Sequence, residues 1–336
     1  MSYPDDGFRA EPVTPDTGPR RRLGCCLVVC ILCGFLATIF WFVNRQYQNS
    51  VAASIDPAET RPVEIVTNQS ASHESSAKEI TGVTAGINPE AIAAAKHPLL
   101  PLLAVAKEAI QQMAENVQDY EATVITQTQV DGKLGEENYM AVKIRHERQE
   151  GDQSIPFSVY TRFLKPASTA GQEAIWVDGK NDDKIIAHPA GMFNLIRLKL
   201  NPDGALAMQG NRYSIRHIGM MNLLFKMLEK GEQGLKNEQC QVRIERNVKV
   251  GDVDCTMLEI IYPEKTPTID FHKARIFIDD RRGLPIAYEG YLWPEEKGQE
   301  APLLEKYIYN NIQLNVGLTD KEFDPDNPNY NYPGGD

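Results

Sequence analysis

The chain predicts an α+β protein: one long, predominantly antiparallel sheet bent into an incompletely closed β-barrel, with helices packed in or over its opening, behind a single N-terminal transmembrane helix. Three observations carry this expectation. Runs of alternating apolar and polar residues, separated by turn residues, recur from residue 120 to residue 314 without the strand and crossover-helix alternation of parallel folds. Only two substantial stretches of the same region keep a helical period. Residues 23–43 carry no charge over a length that suits a bilayer.

Composition permits a sizeable core. Of 336 residues, 42% are hydrophobic and 24% charged, an ordinary globular balance. The net charge of −11 argues against a nucleic-acid partner, since a phosphate-binding surface needs clustered Lys and Arg. The basic cluster Arg20-Arg21-Arg22 has another explanation, because it stands directly before the uncharged run LGCCLVVCILCGFLATIFWFV. As a helix that run is about 31 Å long against a hydrocarbon core of about 30 Å. Three arginines precede it and Arg45 follows, so the positive-inside rule leaves residues 1–22 in the cytoplasm and the rest in the periplasm. The expected organisation is a disordered cytoplasmic tail at 1–22, an uncleaved inner-membrane signal anchor at 23–43 and a flexible linker at 44–87. That linker, rich in Ser, Ala, Thr and Glu, has a reach of roughly 35 to 40 Å.

The ectodomain is expected at 88–330, followed by an irregular tail at 331–336. Asn88-Pro89-Glu90 supplies a cap, an N1 proline and an acidic first turn. Leu99, Leu102, Leu103, Ala106, Ala109, Ile110, Met113 and Val117 then keep a helical period, as in a helix laid on a sheet. Strands at 120–130 and 139–148 join through Asp131-Gly132, a dipeptide that tolerates the positive φ of a type I′ turn. Three more strands follow at 157–165, 172–178 and 184–188. In the first, Phe157, Val159 and Phe163 share one side and Tyr160 and Leu164 the other, which suits a curved sheet with something apolar in its hollow. Another strand is expected at 193–200.

At 215–235 the period changes. Ile218, Met220, Met221, Leu223, Leu224, Phe225, Met227 and Leu228 go most of the way round a helix, which predicts burial on more than one side. Strands return at 240–250, 255–262, 273–279, 284–293 and 303–314, making about ten or eleven in all. A continuous sheet of that size must curl. Four of the six cysteines fall in the anchor. Of the other two, Cys255 is expected opposite Val248 if the hairpin turns at Gly251-Asp252. That leaves Cys240 about 26 Å away along the strand, too far for a disulfide, and two buried thiols are the favoured reading.

The stretches TRFLKPASTAGQEAIWVDGKNDDKIIAH (161–188), LNPDGALAMQGNRYSIRHIG (200–219) and GLTDKEFDPDNPNY (317–330) resemble an uncharacterised domain-of-unknown-function family found mainly in membrane-anchored proteins of planctomycetes. That family is in turn similar to the LolA-like lipoprotein-sorting carriers. The resemblance implies a half-open antiparallel barrel with a helical lid around an apolar cavity. It supplies no catalytic residues.

No motif suggests an enzyme. The six histidines include no HExxH, and there is no glycine-rich phosphate loop, no GxSxG elbow and no CxxC outside the anchor. No cofactor and no metal are expected. The methionine-bearing helix is the best functional candidate, because methionine lines adaptable apolar pockets; a plain core helix is the alternative. Phe163, Trp176, Met220, Met221, Leu224 and Phe225 are the expected pocket lining. Arg212 and His217, just before the helix, are candidates to contact a ligand head group or to brace the helix. The expected function is non-enzymatic binding of a hydrophobic ligand such as a lipid, acyl chain or lipoprotein. An envelope protein-interaction or sensing module is the alternative.

Overall fold

The computed structural model describes residues 45, 46, 49, 53, 55–67, 87–191, 194–296 and 298–334. The expected tail at 1–22 and anchor at 23–43 therefore lie outside the described residues, among which no helix is long and apolar enough to cross a membrane. In chain order the elements are β1 (Ile65–Thr67), α1 (Pro89–Ala94), α2 (Leu99–Asn116), β2 (Asp119–Val130), β3 (Lys133–Leu134), β4 (Asn138–Arg145), β5 (Arg148–Glu150), β6 (Gln153–Ile155), β7 (Ser158–Lys165), β8 (Glu173–Val177), β9 (Ile185–His188), β10 (Leu198–Leu200), α3 (Met220–Gly234), β11 (Gln241–Val250), β12 (Val253–Ile261), β13 (Lys273–Asp279), β14 (Pro285–Tyr291) and β15 (Leu303–Leu314).

Local chemistry accounts for most boundaries. Asn88 Oδ1 accepts from the Glu90 N–H at 2.8 Å and Pro89 opens α1. Asp131 and Gly132, at φ 51° and 75°, form the two-residue turn between β2 and β3. Strand 193–200 is shorter than its apolar residues suggest: β10 covers only Leu198–Leu200, and Leu195 and Ile196 are exposed. They flank a single short pairing with β9 and have no sheet face to cover them.

The main sheet runs β1-β11-β12-β13-β14-β15-β2-β4-β7-β8-β9-β10, with β3 attached to β2. Every pairing is antiparallel, and β1 and β10 are the two ends, so the sheet is not closed. The small β5-β6 hairpin, absent from the sequence expectation, stands apart. Part of the stretch read as a linker is docked. The Thr60 carbonyl accepts from Lys165 Nζ beside β7 at 2.7 Å, and the Glu64 carbonyl accepts from the Gly251 N–H beside β11 at 2.8 Å. Four residues extend about 14 Å at most, whereas seven strand spacings in a flat sheet span about 34 Å. The sheet must therefore curl to bring β7 and β11 within reach of one short strap.

Register separates two faces. Leu258, Ile276, Tyr288, Tyr307, Val124 and Met140 share the face on which α2 and α3 lie, and Val159 and Trp176 continue it into β7 and β8. On the far face of β7 and β8, Tyr160, Ile175 and Val177 are covered by Leu318, Phe323, Tyr330 and Tyr332 from the C-terminal segment. Tyr330 stacks on Tyr160 with centroids 4.1 Å apart. Asp119 fixes the start of that segment by accepting from the Gly317 and Leu318 N–H groups, both at 3.1 Å.

Cys255 lies opposite Val248, and both Cys240 and Cys255 are free, buried thiols. Burial pushes Cys240 up to about 11 and Cys255 up to about 12, so neither is poised as a thiolate.

Candidate functional site

The helix α3 is seated on the sheet by two tyrosines. Gly219, at φ 115°, holds a conformation open to glycine, and a Cβ there would meet Tyr120 Oη at 3.1 Å and Ile144 Cδ1 at 3.4 Å. The Gly219 N–H donates to Tyr309 Oη at 3.2 Å and the Met220 N–H to Tyr120 Oη at 2.9 Å. These are among the N–H groups that a helix start leaves without an intrahelical partner, and here the sheet satisfies them. Burial raises the pKa of both hydroxyls, so they stay neutral.

Toward its other end α3 closes on α2 and on Tyr262, just beyond β12, through small residues. A Cβ on Gly231 would meet Leu103 Cδ2 at 2.7 Å, and one on Gly234 would collide with the Tyr262 hydroxyl. Between these contacts an apolar slot of about 60 Å³ remains. Its walls are Leu99, Leu102, Leu103 and Ala106 of α2, Leu224 and Met227 of α3, and Leu258, Ile260 and Ile276 of the sheet. A water molecule needs about 10 to 15 Å³, whereas sites for whole ligands run to about 300 Å³ and more. The slot thus has room for a few methylene groups, and its lining offers a water no polar side chain.

The expected lining residues are spread along the helix face. Leu224 lines the slot. Met220 is fully buried at the start of α3, Met221 is half-buried against the core, and Phe225 is 50% exposed. Trp176 packs instead with Val159 and Ile185 at the β7–β9 wing, where its indole N–H donates to Asp183 Oδ1 at 3.1 Å; Phe163 is half-buried on the same face. The helix α3 meets both α2 and the sheet but is buried less completely than its apolar girth suggests: Met220, Leu224 and Gly234 are buried, Met221, Leu223 and Met227 are half-buried against the core, and Phe225 is exposed. Reading the residues one helix at a time missed the α2 wall, although its apolar period was visible.

Arg212 does stand at a polar cluster on the helix face, but it is already engaged. Its Nε lies 3.2 Å from Glu305 Oε2. Tyr213 and Tyr307 donate to the same carboxylate at 3.5 and 3.3 Å. Burial pushes the Glu305 carboxyl above its ordinary value, and Arg212 and the two hydroxyls pull it back. His217 is exposed on the short turn before α3.

Residues 117–332 match the family described as Protein of unknown function (DUF1571). The chain belongs to that family. The match begins one residue beyond α2, so it takes in the sheet from β2 onward, α3 and the C-terminal segment, while the α2 wall of the slot precedes it. No curated protein matches the chain. Among solved structures, a DUF1329 family protein from Desulfovibrio piger is 13% identical, covering 66% of this chain and 97% of its own, with a TM-score of 0.33. A domain presented as a candidate outer-membrane lipoprotein-sorting protein from Vibrio parahaemolyticus is 13% identical over 66% of this chain and 95% of its own, with a TM-score of 0.32. A LolA superfamily protein from Nitrosomonas europaea is also 13% identical, over 65% and 97%, with a TM-score of 0.26. At that level of likeness nothing is transferred from them to this chain.

Proposed function

We propose that this chain binds the apolar part of a lipid, acyl chain or lipoprotein between α2, α3 and the sheet, without catalysing a reaction. We further propose that residues 23–43 anchor it in the inner membrane with its folded part in the periplasm. The observation that carries the first reading is the slot itself: an all-apolar gap at a helix–helix–sheet junction, where close packing is the rule in protein interiors. At about 60 Å³ it accepts only the first few carbons of a chain, so loading requires α2 and α3 to part. On the outer side of α3, Phe225 is half exposed, and an ion pair between solvent-exposed Lys107 and Glu232 joins the two helices there.

Extraction of the full-length chain in native lipid discs, followed by mass spectrometry of copurified lipid and uptake of a fluorescent fatty acid, tests the reading. Uptake is expected in the parent chain and at least about tenfold weaker in Ala106→Phe, which fills the slot from α2. Equal uptake in both, or none in either, would sink it. A protein-interaction role has one observation of its own in its favour, the exposed Leu195, Ile196 and Leu206 in the connections flanking β10. Crosslinking of a protein partner through these residues, with no lipid bound, is the outcome that would favour it.

A further inference from the structure

The cluster around Glu305 has the makeup of a cation site. Tyr288 on β14 and Tyr307 on β15 are register partners on the helix face, with ring centroids 6.4 Å apart and planes tilted by 31°. Tyr213, from the connection before α3, brings a third ring to 6.5 Å from Tyr307. The Glu305 carboxylate stands among them with its side chain only 8% exposed. Gly290, Glu305's partner across the strands, lets these side chains come close, since a Cβ there would meet Tyr288 Oη at 3.1 Å and Glu305 Cγ at 3.3 Å. The hydroxyls of Tyr213 and Tyr307 meet the carboxylate and the rings stand beside it, so a cation is attracted first by the full charge of Glu305 and second by the ring quadrupoles.

At present the cation is the chain's own. The Arg212 guanidinium sits 5.8 Å from the Tyr213 ring centre and 3.2 Å from Glu305. The fit is loose, since charge-assisted bonds to a carboxylate usually measure about 2.5 to 2.9 Å and all three here are 3.2 Å or longer. The nearby charges balance: Glu305 faces Arg212, and Asp270 is paired with Lys230 of α3 at 2.9 Å. An incoming cation therefore enters by replacing Arg212, which lies on an irregular connection and is already 29% exposed. Tyr288 is also the register partner of Ile276, a wall of the apolar slot, so the cluster and the slot stand on neighbouring strands of the same face.

We propose that Tyr213, Tyr288, Tyr307 and Glu305 form a receptor for the ammonium head of an amphiphile whose chain enters the slot, with Arg212 as the internal stand-in that the ligand displaces. This rests on the reading of the slot as an apolar-chain site. The test uses the full-length chain in phosphatidylglycerol nanodiscs, with empty discs as the blank and ligand-observed NMR as the readout. Octyltrimethylammonium, octanol, octanoate and tetramethylammonium are the probes. Octyltrimethylammonium is expected to bind at least about tenfold more tightly than octanol or octanoate. Glu305→Gln and Tyr213→Leu should each abolish that preference while leaving octanol binding in place; the second variant, on a loop, guards against misfolding of the first. Arg212→Gln should strengthen ammonium binding several-fold. Preference for octanoate, or equal binding of octanol and octyltrimethylammonium in both the parent chain and Arg212→Gln, overturns the cage. If no octyl probe binds yet tetramethylammonium does so in a Glu305-dependent way, the cage stands and the slot reading fails.

Discussion

Two hydroxyls decide where α3 sits. Tyr120 and Tyr309 accept from the first N–H groups of the helix inside a buried contact, and removing either oxygen leaves a donor without water or partner. Tyr120→Phe and Tyr309→Phe are each expected to lower stability by about 1 to 3 kcal/mol in denaturant unfolding, with no change in the strands' circular dichroism. His146 offers a pH signature at the same scale. Its Nδ1–H donates to the Val117 carbonyl at 2.8 Å, its Nε2 is buried without a partner, and burial lowers its pKa. A depressed folded value means that its stability contribution is present above the ordinary histidine value of about 6.5 and is lost as pH falls through the folded value. The unfolding midpoint should therefore drop on acidification below about pH 6.5, and a His146→Gln variant should show a flatter profile over that window. Of these residues the sequence advertised nothing special. Tyr120 reads as one more strand tyrosine, and its role exists only because the start of α3 arrives opposite it.

At the scale of elements, the hairpin turns and the one strand register they imply were legible because they are local. Asp131-Gly132 selects a two-residue turn whatever surrounds it, and the Gly251-Asp252 hairpin places Cys255 opposite Val248 by counting alone. Helix contacts are not local. Glycines 231 and 234 look like weak helix residues until α2 and Tyr262 are brought against them. Gly234→Ala gains helix propensity worth up to about 1 kcal/mol, but its methyl group collides with the Tyr262 hydroxyl and crowds Leu99. The collision should win, with a net loss of about 1 to 3 kcal/mol by thermal unfolding; an unchanged or higher midpoint would show that α3 stands off from Tyr262. The partial misreading of α3 has the same origin. A girth rich in Met, Leu and Phe predicts burial, yet how much is buried depends on what packs over it, and Phe225 stays half exposed.

For the whole molecule, the two chain segments outside the sheet matter as much as the sheet. The strap at 55–67 joins β7 to β11 and so measures how far the sheet curls, and the C-terminal segment gives β7 and β8 a second buried face. Deleting residues 317–334 uncovers Tyr160, Ile175 and Val177 and frees Asp119. Such a chain is expected to unfold at a lower temperature and to self-associate, as measured by calorimetry and light scattering; a monomer of parental stability would show that the segment is only laid on. From sequence, the apolar residues on both sides of strand 157–165 suit a curved sheet with something apolar in its hollow; the cover that the C-terminal segment gives the far side is not legible there.

By itself the sequence determined the antiparallel strand succession, the two long helices, the hairpin turns and the Asn88 cap of α1, because each depends on residues within a few positions of one another. Only the tertiary structure decided that α2 and α3 share one apolar slot, that a supposed linker closes the curl, and that Arg212 is held by Glu305, 93 residues further along the chain. Those are contacts between segments far apart in sequence, and a pattern read within one segment carries no information about the partner that will cover it.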